Sequence, residues 1–114
     1  MKNTITGPRV IAEDVTIYFV GGALALTGTV IHDPRTGLLE LENNEGPSER
    51  LSVNLVAYGL VPTSPDEVFI KDWSEGRGVA ESLVKAGVAE EISEVFVGPF
   101  RSRAVLVRLL AQKS

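Results

Sequence analysis

The fold class is decided by the stretch EVFIKDWSEGRGVAESLVKAGV, residues 67–88. Its first six residues, EVFIKD, predict a short strand. Ser74 can then cap a helix, and Glu75 lies favourably in the first turn against the helix dipole. The helix is expected to continue through Ala86 and to end at Gly87, because glycine commonly terminates helices. The stretch therefore predicts a strand followed by a helix.

Apolar and polar side chains are predicted to lie on opposite faces of this helix. Positions i, i+1, i+4 and i+5 of a helix share one face. The apolar set at that spacing is Val79, Ala80, Leu83 and Val84, and the polar set is Glu81, Ser82 and Lys85. We expect the apolar face to pack on a sheet and the polar face to point to solvent.

Two further strands are predicted after the helix. Residues 92–97 and 103–110 can form a hairpin around the turn GPFRS, residues 98–102. Val105, Val107 and Leu109 then share one face of the last strand. Together with the preceding strand and helix, this hairpin gives a β-α-β-β unit over residues 66–110.

The N-terminal half has apolar residues with a period of two, which is typical of antiparallel strands. Strands are predicted over residues 10–20, 23–32, 38–42 and 51–55. Gly21 and Gly22 can supply the positive φ angles of a tight hairpin turn, and DPRTG, residues 33–37, predicts a second reversal. Residues 43–50 are polar, Gly or Pro and predict an exposed loop. We expect an N-terminal antiparallel β-meander or partial barrel of about four strands over residues 9–57.

The whole chain is predicted to be one α+β domain, residues 1–114, with its single helix packed on the sheet. A length of 114 residues is that of one typical domain. Residues 1–8 are expected to be flexible. Gly59, Pro62 and Pro65 predict a loop inside the domain rather than a linker between two domains.

The net charge indicates which kinds of partner the chain is expected to bind. The chain carries a net charge of −4, which disfavours nucleic acid, since binding to phosphates relies on Lys and Arg. A local basic face stays open as an alternative, because residues 98–114 contain no acidic residue. Their basic residues are Arg101, Arg103, Arg108 and Lys113.

Composition also excludes several kinds of site. The chain has no cysteine, so disulfides, thiolate nucleophiles and cysteine metal ligands are excluded. No apolar run approaches the roughly 18 residues that a membrane span needs, and the N-terminus lacks the pattern of a secretory signal. We therefore expect a cytoplasmic protein without a membrane contact, and no cofactor.

Candidate catalytic residues are few. Ser74–Gly78 follows a strand and opens a helix, which is the topology of an anion site, but it lacks the Lys of a P-loop and the third glycine of a dinucleotide motif. His32 is the only histidine, and the residue after it, Asp33, is expected on the opposite face of the strand. Asp72 and Glu75 are as consistent with capping and solvation as with acid–base chemistry. Catalysis is therefore the minority hypothesis.

The binding candidates are aromatic and charged. Phe100 lies in a hairpin turn that would ordinarily hold small polar residues, so we expect it at the surface. Trp73 and Phe69 are expected to pack under the helix, although Trp73 stays a contact candidate because aromatics and Arg dominate interface energetics. An acidic face on the third strand could meet a basic partner. The binding candidates are Trp73, Phe100, Arg101, Arg103, Glu40 and Glu42.

The stretch EVFIKDWSEGRGVAESLVKAGV, followed by a hairpin that contains the apolar strand AVLVRLL, resembles small uncharacterised proteins of bacteria and their mobile elements. The resemblance covers roughly the C-terminal half of the chain. It implies a cytoplasmic bacterial or phage protein and assigns no activity or functional residue.

Three functions are open at this point. The first is a non-catalytic protein-binding module, such as an accessory or inhibitory protein of a bacterium or phage. The second is a structural or assembly protein that forms a homo-oligomer, because strands such as VTIYFV and AVLVRLL are apolar on both faces. The third is a small-molecule enzyme or ligand-binding domain with a pocket that uses Asp72, Glu75 or His32.

Overall fold

The computed structural model describes residues 7–43 and 46–110. Of the expected flexible segment, residues 1–6 lie outside this range. The strands are β1 (Arg9–Phe19), β2 (Leu24–Asp33), β3 (Leu38–Glu42), β4 (Glu49–Arg50), β5 (Glu67–Lys71), β6 (Ala89–Val97) and β7 (Ser102–Leu109). The helix α1 is Val79–Lys85, and short 3₁₀ turns are found at Val20–Gly22, Val56–Tyr58 and Ser74–Gly76.

The strands form two antiparallel sheets. Sheet A has the order β1-β2-β3-β4, and sheet B has the order β5-β7-β6. Helix α1 packs against β1, β5 and β6, and thus contacts both sheets. The prediction of an α+β fold with one helix packed on sheet is confirmed.

The β1–β2 hairpin is formed at the two glycines that predicted it. Its turn, Val20–Gly22, has φ angles of +55° at Val20, +64° at Gly21 and +103° at Gly22. Two of these three positions hold glycine, which adopts positive φ without a steric cost. The register runs from Phe19 opposite Leu24 down to Arg9 opposite His32.

The fourth strand of the N-terminal half differs in position and length from the prediction. Residues 51–55 were expected to complete the meander, but β4 is Glu49–Arg50 and the chain then crosses to sheet B. The Leu51 N–H donates to the carbonyl of Leu39 on β3, and the Val53 N–H donates to the carbonyl of Phe69 on β5. This short segment is shared by the two sheets, so neither sheet pairs with its whole length.

The helix begins later than predicted. Ser74–Gly76 forms a separate 3₁₀ turn, and α1 starts at Val79 after Gly78, whose φ is +102°. Ser74 lies in that turn and is not the N-cap of α1. The cap is instead Asp72, whose Oδ2 accepts a hydrogen bond from the Ala80 backbone N–H at 3.0 Å.

The helix faces also differ in two positions from the prediction. Val79, Ala80 and Leu83 are buried as expected, whereas Val84 is 39% exposed. Ser82, expected to face solvent, is buried because it lies against the edge of β1. Its Oγ accepts a hydrogen bond from the Tyr18 backbone N–H at 2.9 Å.

A single apolar core joins the two sheets and the helix. It is built from inward-facing residues of both halves of the chain, among them Ile17, Val30, Leu41, Ile70, Leu83 and Val105. A core with members from both sheets buries one face of each, which is the main stabilising contribution in a domain of this size.

The other face of sheet B is covered by a second apolar cluster. Leu55, Phe69, Val97 and Ala104 are its buried members, and Leu60 and Trp73 pack against them. The expectation that Phe69 and Trp73 pack under the helix is therefore wrong, because Phe69 lies between Val68 and Ile70, whose side chains take the helix-side face of the strand. The apolar side chains on both faces of β7 are thus buried or partly buried within this chain.

Candidate functional site

The tip of the β6–β7 hairpin presents an aromatic side chain to solvent. Phe100 is 89% exposed. The turn around it is held by a hydrogen bond from the Arg101 N–H to the Gly98 carbonyl at 3.1 Å. Gly98 and Arg101 have positive φ angles of +76° and +51°. The exposed ring is therefore carried by a turn with a defined conformation.

Two more aromatic residues lie beside this turn. The Arg101 guanidinium lies 5.4 Å from the centroid of the Phe96 ring, a distance typical of a cation–π contact. The Tyr58 hydroxyl lies against Gly98, within 3.3 Å of the position that a Cβ would take there. Phe96 and Tyr58 are 49% and 56% exposed. We call Tyr58, Phe96, Phe100 and Arg101 the hairpin-tip cluster.

Arg103, a predicted contact residue, is engaged inside the fold. Its Nη1 donates to Asp72 Oδ1 at 2.9 Å, and its Nε donates to Glu94 Oε1 at 2.7 Å. The hydrogen bond to Glu94 raises the pKa of Arg103 above its ordinary value, and the charge of Asp72 acts in the same direction. Arg103 thus ties β7 to β6 and to the start of α1.

The remaining predicted contact residues lie apart from the hairpin tip. Trp73 is half-buried in the second apolar cluster, with the Lys71 ammonium 5.6 Å from its ring centroid. Glu40 and Glu42 lie on β3 of sheet A, where Glu40 is opposite Arg50 and Glu42 is opposite Thr29. The structure therefore brings together Phe100 and Arg101, but not Glu40 and Glu42.

Two of the arginines in residues 98–110, the segment that could have formed a basic face, are paired with carboxylates. Arg108 donates to Glu90 at 2.6 Å, and Arg103 is paired with Asp72 and Glu94. Lys113, the last basic residue of the segment, lies outside the described residues. Of the predicted set, Arg101 retains an exposed charge beside an aromatic ring.

The three candidate acid–base residues do not meet in one pocket. A groove of about 960 Å³ runs along α1 and is lined in part by Asp72 and Arg103, but not by Glu75 or His32. His32 is completely buried in the core. Glu75 is exposed and accepts a hydrogen bond from Lys71 at 2.9 Å, which lowers its pKa to about 2.

The candidate anion site at residues 74–78 is filled by the chain itself. The first turn of α1 receives the Asp72 carboxylate through the Ala80 N–H. A carboxylate at the start of the helix interacts favourably with the helix dipole, and its negative charge would repel a phosphate. The interpretation as a strand-to-helix turn accounts for these residues.

Sequence reasoning missed Tyr58 and Phe96 as surface residues. Phe96 was assigned to a strand without a prediction of its exposure, and Tyr58 to a connection. An aromatic residue in a connection rich in Gly and Pro was the available signal for Tyr58. No local pattern places Tyr58 beside Gly98, because 40 positions separate the two residues along the chain.

Comparisons with protein-family models, curated proteins and solved structures found no significant match to this chain. Within residues 7–43 and 46–110, no helix has the length and apolar character needed to cross a membrane. In the same part of the chain, no three His, Asp or Glu side chains are grouped to hold a metal ion.

Proposed function

We propose that this chain is a non-catalytic protein-binding module that contacts its partner through the hairpin-tip cluster. The observation that carries the proposal is the 89% exposure of Phe100 on an ordered turn. Full burial of such a side chain in a partner contributes about 1.5–3 kcal/mol. Arg101 and Phe96 beside it add residue types that recur at the energetic centres of protein interfaces.

A protein is favoured over other partners by charge and chemistry. The net charge of −4 and the paired state of Arg103 and Arg108 oppose binding to a phosphate backbone. The candidate acid–base groups Asp72 and Glu75 are each engaged with a cationic side chain. These contacts support a role by surface occupation, such as that of an accessory or inhibitory protein of a bacterium or phage in the cytoplasm.

The alternative, a homo-oligomeric assembly protein, loses one of its supports. It rested partly on the two apolar faces of the last strand, and residues of this chain cover both of them. Self-association would give an adduct between two copies of this chain in the experiment that follows.

The experiment is site-specific photocrosslinking. A benzophenone amino acid replaces Phe100 in one variant and Val10 in a control variant, since Val10 is 54% exposed on the far sheet. The expected result is a discrete adduct with one cellular protein from position 100 only. An excess of the wild-type chain should abolish that adduct, and an excess of Phe100→Ala should not.

Two outcomes would overturn the proposal. Equal adducts from positions 100 and 10 would show that exposure alone determines reaction. An adduct between two copies of this chain, together with a dimer mass in light scattering, would favour the assembly function instead.

A further inference from the structure

Strand β6 has an edge that no other described strand covers. It is an outer strand of sheet B and pairs with β7 on one side only. In β1, an outer strand of sheet A, the Tyr18 N–H donates to the Ser82 hydroxyl of α1. An uncovered edge offers unpaired backbone N–H and C=O groups to another chain.

The exposed length of this edge is sufficient for strand pairing. Residues 90–94 and Phe96 have exposed side chains. The register with β7 shifts at Ile92 and is then regular from Ser93 to Val97. Five regular residues lead directly to the hairpin-tip cluster, because Phe96 belongs to both.

The charged residues of β6 are acidic, and two of them form ion pairs with arginines on β7. Glu90 accepts a hydrogen bond from Arg108 at 2.6 Å, and Glu94 accepts one from Arg103 at 2.7 Å. Among the described residues no ion pair holds Glu91. Opposite charges on neighbouring strands stabilise a sheet, so a further strand with basic residues would continue this pattern.

A second copy of the same edge is a poorer occupant. Pairing of two β6 strands would bring two sets of Glu90, Glu91 and Glu94 into one ribbon. Like charges at that density oppose pairing. Charge complementarity therefore favours a different, basic segment.

We propose that the free edge of β6 receives an extended, basic segment of the protein partner, which adds to the three strands of sheet B as a fourth strand beside the hairpin-tip cluster. The inference rests on the proposed protein-binding function and names the chemistry of the partner. Backbone hydrogen bonds hold the added strand, and its alternate Lys or Arg side chains face Glu91 and Glu94, which lie on the same face of β6.

The test uses synthetic peptides with the full chain labelled for NMR. The first probe is a capped nine-residue peptide that alternates lysine with valine or threonine. The second has the same sequence with N-methyl groups on alternate amides, which keeps the charge and removes backbone donors. The third replaces every lysine with glutamate. Amide shifts and hydrogen exchange are followed up to millimolar peptide at low salt.

The expected result is that the first peptide shifts and protects the amides of β6, whereas the second and third bind at least tenfold more weakly. Glu91→Lys should weaken binding of the first peptide by roughly fivefold, since an attractive cross-strand pair becomes repulsive. Glu42→Lys makes the same charge change on sheet A and should leave the affinity nearly unchanged.

Equal binding of the first and second peptides would overturn the inference, because the contact would then be electrostatic without strand addition. Shifts confined to the hairpin tip, or no shift of β6 amides, would also overturn it. Each of these three outcomes leaves the proposed function standing if the adduct at position 100 forms. Absence of that adduct together with no peptide binding would remove both proposals.

Discussion

Asp72 and Arg103 are joined by an ion pair of 2.9 Å between Oδ1 and Nη1, and the same carboxylate caps helix α1. The second oxygen, Oδ2, accepts the Ala80 N–H at 3.0 Å. The Asp72 side chain is 7% exposed. One buried carboxylate therefore connects the end of β5, the beginning of β7 and the beginning of α1.

Asp72→Asn should lower the free energy of unfolding by about 2 kcal/mol, because an amide donor replaces one of the two acceptor oxygens in a buried site. Urea unfolding followed by circular dichroism measures the change. Glu75→Gln is the matched control. It breaks the pair with Lys71, but Glu75 is 68% exposed, so the expected loss is much smaller than that of Asp72→Asn. Equal losses in the two variants would contradict the structural role of Asp72.

The elements that the sequence predicts well are those with local causes. The β1–β2 hairpin follows from Gly21 and Gly22, and β3 follows from the alternation of Leu39 and Leu41 with glutamates. The exposure of Phe100 likewise follows from an apolar residue in a turn. In each case the signal lies within a few residues of the feature it determines.

The features that the sequence does not predict depend on contacts between distant segments. Ser82 is a polar residue that a helical pattern assigns to solvent, yet the edge of β1 requires an acceptor at that position. Residues 51–53 lie between the two sheets, because β3 offers them a carbonyl partner on one side and β5 offers carbonyl and N–H partners on the other. The hairpin-tip cluster needs Tyr58 beside Gly98, which no periodicity encodes.

His32 is expected to make the protein less stable in mild acid. The ring is completely buried, and neither of its nitrogens has a hydrogen-bond partner among the described residues. Burial lowers the pKa of His32 below 6.5, and the charge of Arg9 lowers it further, while Asp33 and Asp66 act in the opposite direction. The folded state thus binds the proton more weakly than the unfolded chain does.

Stability should therefore be constant above about pH 7 and should fall as the pH drops through about 6.5, with a limiting slope of about 1.4 kcal/mol per pH unit. The fall should end below the folded-state pKa. Urea unfolding from pH 8 to pH 5 measures it. His32→Leu should remove the slope in this range. The pKa of Asp33 is lowered by its hydrogen bond from Arg35, so Asp33 loses its contribution only at more acidic pH. An unchanged slope in His32→Leu would contradict the assignment.

Gly28 on β2 leaves no room for a side chain. A Cβ at this position would overlap the backbone carbonyl oxygen of Glu42, where β3 ends beside β2. Gly28→Ala should therefore destabilise the protein by about 1–3 kcal/mol, because backbone must move to admit the methyl group. Thermal unfolding should show a Tm lower by about 4 °C or more.

The matched control is Gly46→Ala. A Cβ at Gly46 would meet no atom within 4 Å, and its φ is not in the left-handed region. This substitution should leave the Tm unchanged or raise it slightly, because alanine restricts the unfolded chain. A Gly28→Ala protein as stable as the wild type would show that β2 and β3 are not as close at this point as the structure has them.

Ser82 binds one backbone N–H at the edge of β1. Its Oγ accepts the Tyr18 N–H at 2.9 Å and donates to the Gly78 carbonyl at 2.8 Å. Ser82→Ala removes both contacts and leaves a backbone donor of β1 without an acceptor, at a cost of about 1–2 kcal/mol. Hydrogen exchange should show the Tyr18 amide losing more protection than the amides of β2 and β3. Val84→Ala, on the exposed side of α1, should change neither quantity by a comparable amount. A uniform loss of protection would contradict a local role for the hydroxyl. A selective loss at Tyr18 would show that the serine hydroxyl directly protects this amide of β1.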